Sequence, residues 1–132
     1  MIFVGVLNSV RMENSFNRAC TSEFGTAKDS LEFQYLYNMD TYLHIKKGVK
    51  YPSSLFTAIM NDSRVAVWES AKAVTKLQEE NNRDNLILFR TEDKGHFDYP
   101  GDEDVFSFLF WQLGNPDFIL IPNDFYYKSF QK

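Results

Sequence analysis

The sequence of 132 residues predicts an α/β domain with about three parallel strands and flanking helices. Two observations carry this. Short apolar runs recur at residues 2–6, 54–60 and 86–89, of the kind buried on both faces of a parallel sheet. Between and after them lie segments of helical spacing, so strand and helix alternate along the chain. The composition, 44% hydrophobic and 24% charged, is that of an ordinary globular chain, long enough for one core and too short for two.

Residues 2–6 read as a buried strand, β-branched and aromatic, closed by Asn8 and Ser9. The chain opens directly inside this run without a polar lead-in, so further sequence of the same fold is expected upstream. Residues 11–28 are polar, contain Gly25 and several Asn and Ser, and lack periodicity; a long loop is expected there. Asp29 followed by Glu32 is a capping-box-like helix start. Leu31, Phe33, Tyr35, Leu36 and Met39 continue it in a helical pattern, and residues 40–43 suit one more short turn. Gly48 and Pro52 then punctuate the chain.

Residues 54–60 form the second strand, apolar on both faces. A helix is expected over 69–80, with Ala73, Val74 and Leu77 inside and Lys72, Lys76 and Glu79 outside, broken by residues 81–84. Residues 86–89 are the third buried strand. After a loop rich in Gly, Asp and Pro, the acidic residues Asp102, Glu103 and Asp104 favour the start of a last helix over 102–113, which Gly114 stops. Its stripe of Phe106, Phe108, Phe110 and Trp111 reads as core and sheet packing. The domain is thus expected at residues 1–114, followed by an aromatic tail at 115–132. Three such strands alone would leave one raw edge where further strands should pair.

Several function classes drop out. Net charge is −4 and the only basic run, Lys46, Lys47 and Lys50, is short, so no nucleic-acid partner is expected. No stretch approaches the ~18 apolar residues of a membrane span, and no basic leader precedes the apolar start. A single cysteine, Cys20, excludes an internal disulfide and points to a reducing, cytoplasmic location. Cys20 lacks a neighbour that would make it a nucleophile; Arg18, two residues away, reads as solvated. His44 and His96 lie far apart without ligand spacing, so no metal is expected.

Functional groups in an open parallel sheet gather at the carboxyl ends of the strands. The second strand runs into Asn61-Asp62-Ser63-Arg64-Val65, and the third into Thr91-Glu92-Asp93-Lys94-Gly95-His96-Phe97. If the two strands are neighbours, Asp62 and His96 share one rim. A carboxylate that accepts the Nδ1 proton of an imidazole fixes its tautomer and stabilises the imidazolium formed in base catalysis. Hydrolases of this architecture carry serine, acid and histidine in that chain order, and Asp62 precedes His96. Asp is equally favoured in turns, so this pair alone leaves a plain loop reading open.

The flanking residues are more specific. The run from Tyr51-Pro52-Ser53-Ser54 to Asn61-Asp62-Ser63-Arg64-Val65 resembles the strand and acid loop of the prolyl oligopeptidase family, which includes oligopeptidase B. The segment from Trp68 through Ala71-Lys72 to Leu77 resembles the helix that follows there, and Lys94-Gly95-His96-Phe97 the catalytic-histidine loop. Arg11-Met12-Glu13-Asn14, Glu23-Phe24-Gly25-Thr26 and Tyr42-Leu43-His44-Ile45 match upstream. Ordered matches of this kind, covering roughly residues 4–113, say more than one motif. The resemblance implies the C-terminal portion of an α/β-hydrolase domain, with Asp62 as triad acid, His96 as triad base and Arg64 holding the substrate backbone. It implies acyl transfer from short peptides, often cut after proline, with no cofactor.

One departure matters. The family's nucleophile sits in a Gly-x-Ser-x-Gly turn, and no serine of this chain has that setting. The elbow, the oxyanion donors, the first strands and a β-propeller would lie upstream, so the chain is expected to be inactive alone. An upstream catalytic-domain fragment is the expected partner. The alternatives are a non-catalytic remnant that self-associates or binds through its open edge, and an unrelated small α/β binding domain.

Overall fold

The computed structural model describes residues 1–15, 20–81, 85–97 and 102–118. Strands β1 (Ile2–Phe3), β2 (Ser54–Asn61) and β3 (Ile87–Gly95) form one sheet in the order β1-β2-β3, parallel at both pairings. Its helices are α1 (Thr21–Phe24), α2 (Ser30–Met39), α3 (Thr41–His44), α4 (Val67–Glu80) and α5 (Asp102–Gln112). Short 3₁₀ turns lie at Ser9–Asn14 and Pro116–Phe118. The chain divides into two compact units, Met1–Pro100 and Gly101–Lys132. No helix of the described residues is long and apolar enough to cross a membrane.

β2 is the central strand because it alone is apolar along both faces: Leu55, Phe56, Thr57, Ala58 and Ile59 are all buried. Phe56 meets Ala73, Val74 and Leu77 of α4 in a core completed by Leu7, Ile45 and Ile87. The inner side of α4 is therefore as the spacing predicts, although the helix begins two residues earlier than expected, at Val67. It ends at Asn81, whose amide donates to the Leu77 carbonyl and whose side chain ties residues 51 and 85 together. The rest of the expected break, residues 82–84, lies outside the described residues.

Several expectations change. The first strand stops at Phe3 instead of residue 6, because Val4 turns to φ +43°, a left-handed conformation rare for a β-branched residue. Its N–H still donates to the Thr57 carbonyl at 3.0 Å, and the turn then carries Leu7 and Asn8 into buried positions. Residues 11–28 are not simply a loop: the 3₁₀ turn at Ser9–Asn14 and helix α1 fall there, while 16–19 lie outside the described residues. β3 is longer than expected and is not a buried strand. Only Ile87 is buried, since among the described residues β3 has a neighbouring strand on one side alone, and backbone pairing with β2 carries it on through polar residues to Gly95. Along it Arg90, Glu92 and Lys94 recur at strand period and form ion pairs at 2.8 and 2.7 Å.

α2 is helical as expected, yet only Leu36 of its apolar residues is buried. Asp29 caps it by accepting from the Leu31 and Glu32 amides. The reciprocal half of the capping box is absent: the Glu32 carboxylate takes the Thr26 amide instead, at 2.8 Å. The turn expected at 40–43 is α3, capped by Asp40. In the second unit, α5 buries Phe108 and exposes Phe106 and Phe110, which stack on one another, so the stripe is only partly packed. Gly114, at φ +74°, ends the helix: its N–H donates to Trp111 and the Asn115 N–H to Phe110, the paired bonds of a Schellman cap.

Candidate active site

Asp62 is the first residue past β2, and the chain bends at once into α4. Its Oδ1 accepts the backbone N–H groups of Arg64 at 2.7 Å and Val65 at 2.9 Å, closing the turn that feeds the helix. Asp commonly takes this role, which is why a turn reading fits the sequence as well. The carboxylate is buried, with the residue only 4% exposed.

His96 is the first residue past β3. Ile59 pairs with Glu92, but Asn61 pairs with Gly95, so Asp93 and Lys94 together oppose Met60 alone. This bulge inserts one extra residue into β3, a device that re-aims a side chain at a strand end. Asn61 Nδ2 donates to Asp93 Oδ1 at 2.6 Å and fixes the shifted register. In the shifted register the residue after Asn61 lies level with the residue after Gly95. Those residues are Asp62 and His96.

The His96 Nδ1 lies 2.8 Å from both Asp62 Oδ1 and Oδ2. Burial pushes the Asp62 carboxyl upward, but the Val65 amide, the His96 imidazole and the Arg64 amide outweigh it and hold the group below the usual carboxylate range. An ionised Asp62 can only accept, so Nδ1 carries the proton and donates. That leaves Nε2 as a lone pair able to take a proton from a hydroxyl group. The His96 side chain stays partly open, at 24%.

Arg64 lies on the same lip. Its guanidinium sits over the Phe97 ring, 5.3 Å from the centroid, and Phe97 packs edge-on against the His96 ring. The structure thus brings Asp62, His96 and Arg64 together. Sequence reasoning missed Phe97 as a member of this group, although its place beside His96 was visible.

The other residues weighed from sequence lie elsewhere. His44 Nδ1 is 2.7 Å from the Asp40 carbonyl oxygen and its ring packs edge-on against Tyr37. Cys20 lines a cavity of about 250 Å³ with Val6, Met12, Phe24, Leu36 and Met39. Among the described residues no group of three His, Cys, Asp or Glu could hold a metal ion. A second buried polar cluster was not foreseen. Glu69, read as the edge of a helix, is 1% exposed and accepts the Asn8 amide at 3.0 Å. The Asn8 side chain donates to Asp40 at 2.8 Å and accepts from Lys72 at 2.7 Å.

A family model described as the prolyl oligopeptidase family matches residues 1–112. Among solved structures, a prolyl endopeptidase is 29% identical at a TM-score of 0.73, the match covering 82% of this chain and 17% of that one. Prolyl oligopeptidase B from Galerina marginata is 24% identical at a TM-score of 0.66, covering 78% of this chain and 15% of its own. Oligopeptidase B from Leishmania major is 24% identical at 0.61, with coverages of 72% and 14%. The last two likenesses speak to the fold. None of the curated proteins compared matches the chain. The three-stranded sheet corresponds to part of the α/β-hydrolase domains of these peptidases, and the chain spans between 14% and 17% of their length. The family match runs from the first residue to the last turn of α5, and the chain accordingly belongs to the prolyl oligopeptidase family.

Proposed function

We propose that this chain supplies the acid and the base of a serine-peptidase triad, Asp62 and His96, to a nucleophile carried by sequence outside it. The observation that carries the reading is the 2.8 Å pairing of a buried carboxylate with Nδ1 of an imidazole at the carboxyl ends of adjacent parallel strands. Asp62 holds the imidazole in one tautomer, and Nε2 takes the proton of a serine hydroxyl as its oxygen attacks a peptide carbonyl. The imidazolium then returns that proton to the leaving amine, and a water repeats the cycle on the acyl-enzyme. Arg64 offers a cation to the substrate backbone on the same lip. Prolyl oligopeptidase B from Galerina marginata has been solved as separate variants with a serine, an aspartate or a histidine replaced by alanine, each with bound substrate, and those are the residue types this reading requires.

No serine of this chain lies between two glycines at elbow spacing, so the chain alone is expected to be inactive. The edge of β1 is the natural contact for a serine-bearing segment, since Phe3 is 47% exposed and among the described residues the strand pairs only with β2. The test is to co-express the chain with an upstream segment bearing the serine elbow and treat both with a fluorophosphonate probe. Labelling of that serine should require this chain and should vanish with His96→Ala. Labelling that never depends on this chain would defeat the proposal.

The same exposed edge favours a second reading, a non-catalytic remnant that self-associates. Light scattering decides it: a dimer or larger species at micromolar concentration supports self-association, and a stable monomer counts against it.

A further inference from the structure

We propose that Phe97 is a positioning residue that joins Arg64 to His96, an inference that rests on the triad reading above. Its ring is 83% exposed, so core packing does not explain its place. Instead it makes two directed contacts. The Arg64 guanidinium carbon lies 5.3 Å from the ring centroid, within the range at which a cation is drawn to an aromatic face. The His96 ring meets it at a centroid distance of 5.2 Å with the planes 81° apart, the edge-on arrangement that ring quadrupoles favour.

Both neighbours are tied to Asp62 at their other ends. Arg64 is held there through its backbone N–H at 2.7 Å, and His96 through Nδ1 at 2.8 Å. The backbone bond fixes where the Arg64 stem begins but gives the guanidinium no direction. The aromatic face of Phe97 supplies it. The four residues therefore close a ring of contacts, from Asp62 to Arg64, Phe97, His96 and back. Its consequence is that the cation and the base keep one spacing on the lip, set by a single side chain that neither reacts nor is buried. Leucine would match the bulk of Phe97 without the negative face, whereas tyrosine would keep that face.

The test is NMR of the full chain with labelled arginine and histidine. In the wild type the Arg64 side-chain protons should be displaced upfield by the ring, and the His96 Nδ1 proton should appear far downfield through its bond to Asp62. Phe97→Leu should abolish the Arg64 displacement and leave the His96 proton in place; Phe97→Tyr should restore the displacement. Because the ring is exposed, Phe97→Leu should keep the urea midpoint of the wild type, separating the contact from folding. Arg64 resonances unchanged in Phe97→Leu, or not restored by tyrosine, would overturn the proposal and leave the triad reading standing. A wild type without the Asp62-bonded His96 proton would instead remove the reading beneath it.

Discussion

Two buried carboxylates, one at the start of the loop that leads into α4 and one in the first turn of that helix, have opposite electrostatics. Asp62 is held below the usual carboxylate range although burial works against it, because two backbone amides and an imidazole converge on one small group. Glu69 is pushed upward, first by burial and also by the nearby Asp40 carboxylate, despite the Asn8 and Leu7 amides and the Lys72 ammonium. Burial is the largest influence on both acids, and the sign of the shift turns on whether the converging donors outweigh it, as they do at Asp62 and do not at Glu69. The first arrangement keeps an ionised group ready to orient a base. The second joins the segment after β1 to α3 and α4, through Asn8, Asp40 and Lys72.

The largest effect is expected at Asp62. Asp62→Ala should destabilise the chain by about 3 kcal/mol, because two amides and an imidazole lose their acceptor. Urea denaturation would check this. In a site completed by the serine-bearing segment, Asp62→Asn should slow acylation roughly 10⁴-fold by loosening the tautomer. Glu69→Ala comes next, at about 2 kcal/mol, since it leaves the Asn8 amide buried without its acceptor. Glu69→Gln keeps an acceptor there and sheds the charge, so it should be far milder. If Ala and Gln cost the same, hydrogen bonding is not what Glu69 contributes.

The pH dependence sharpens the contrast, because the signs differ. Asp62 is lowered from 3.8, so its contribution is present above that pH and is lost as pH falls through the folded value. Glu69 is raised from 4.5, so its contribution is present below that pH and is lost as pH rises through the folded value. Urea midpoints followed across both windows should lose the acid-side slope in Asp62→Asn and the higher slope in Glu69→Gln. Identical profiles in the two variants would erase the comparison. The smallest effect is expected outside both clusters: Val4→Gly should stabilise by about 0.5–1 kcal/mol by relieving a left-handed β-branched residue, and should leave both pH slopes alone.

Much of the site was legible in sequence because its parts are local. Asp62 follows an apolar run, and His96 stands beside a glycine past the next run in a familiar chain order. The register that joins them was not legible. Leu86 to Phe89 looks like a complete short strand, and nothing in the polar residues Thr91, Asp93 and Lys94 announces that pairing with β2 continues through them. Glu69 reads only as the start of a helix, because its burial depends on Asn8 returning from a different element.

The sequence by itself determined the alternation of strands and helices, the inner side of α4, the stop at Gly114 and the placing of Asp62 and His96 just past two strand ends. These depend on apolar periodicity, capping chemistry and residue type, which act over a few neighbouring residues. Only the tertiary structure decided that β1 ends at Phe3, that a bulge levels His96 with Asp62, and that Phe97 reaches Arg64. Those outcomes depend on which backbone groups find partners across strands, and that balance is struck between segments far apart in the chain.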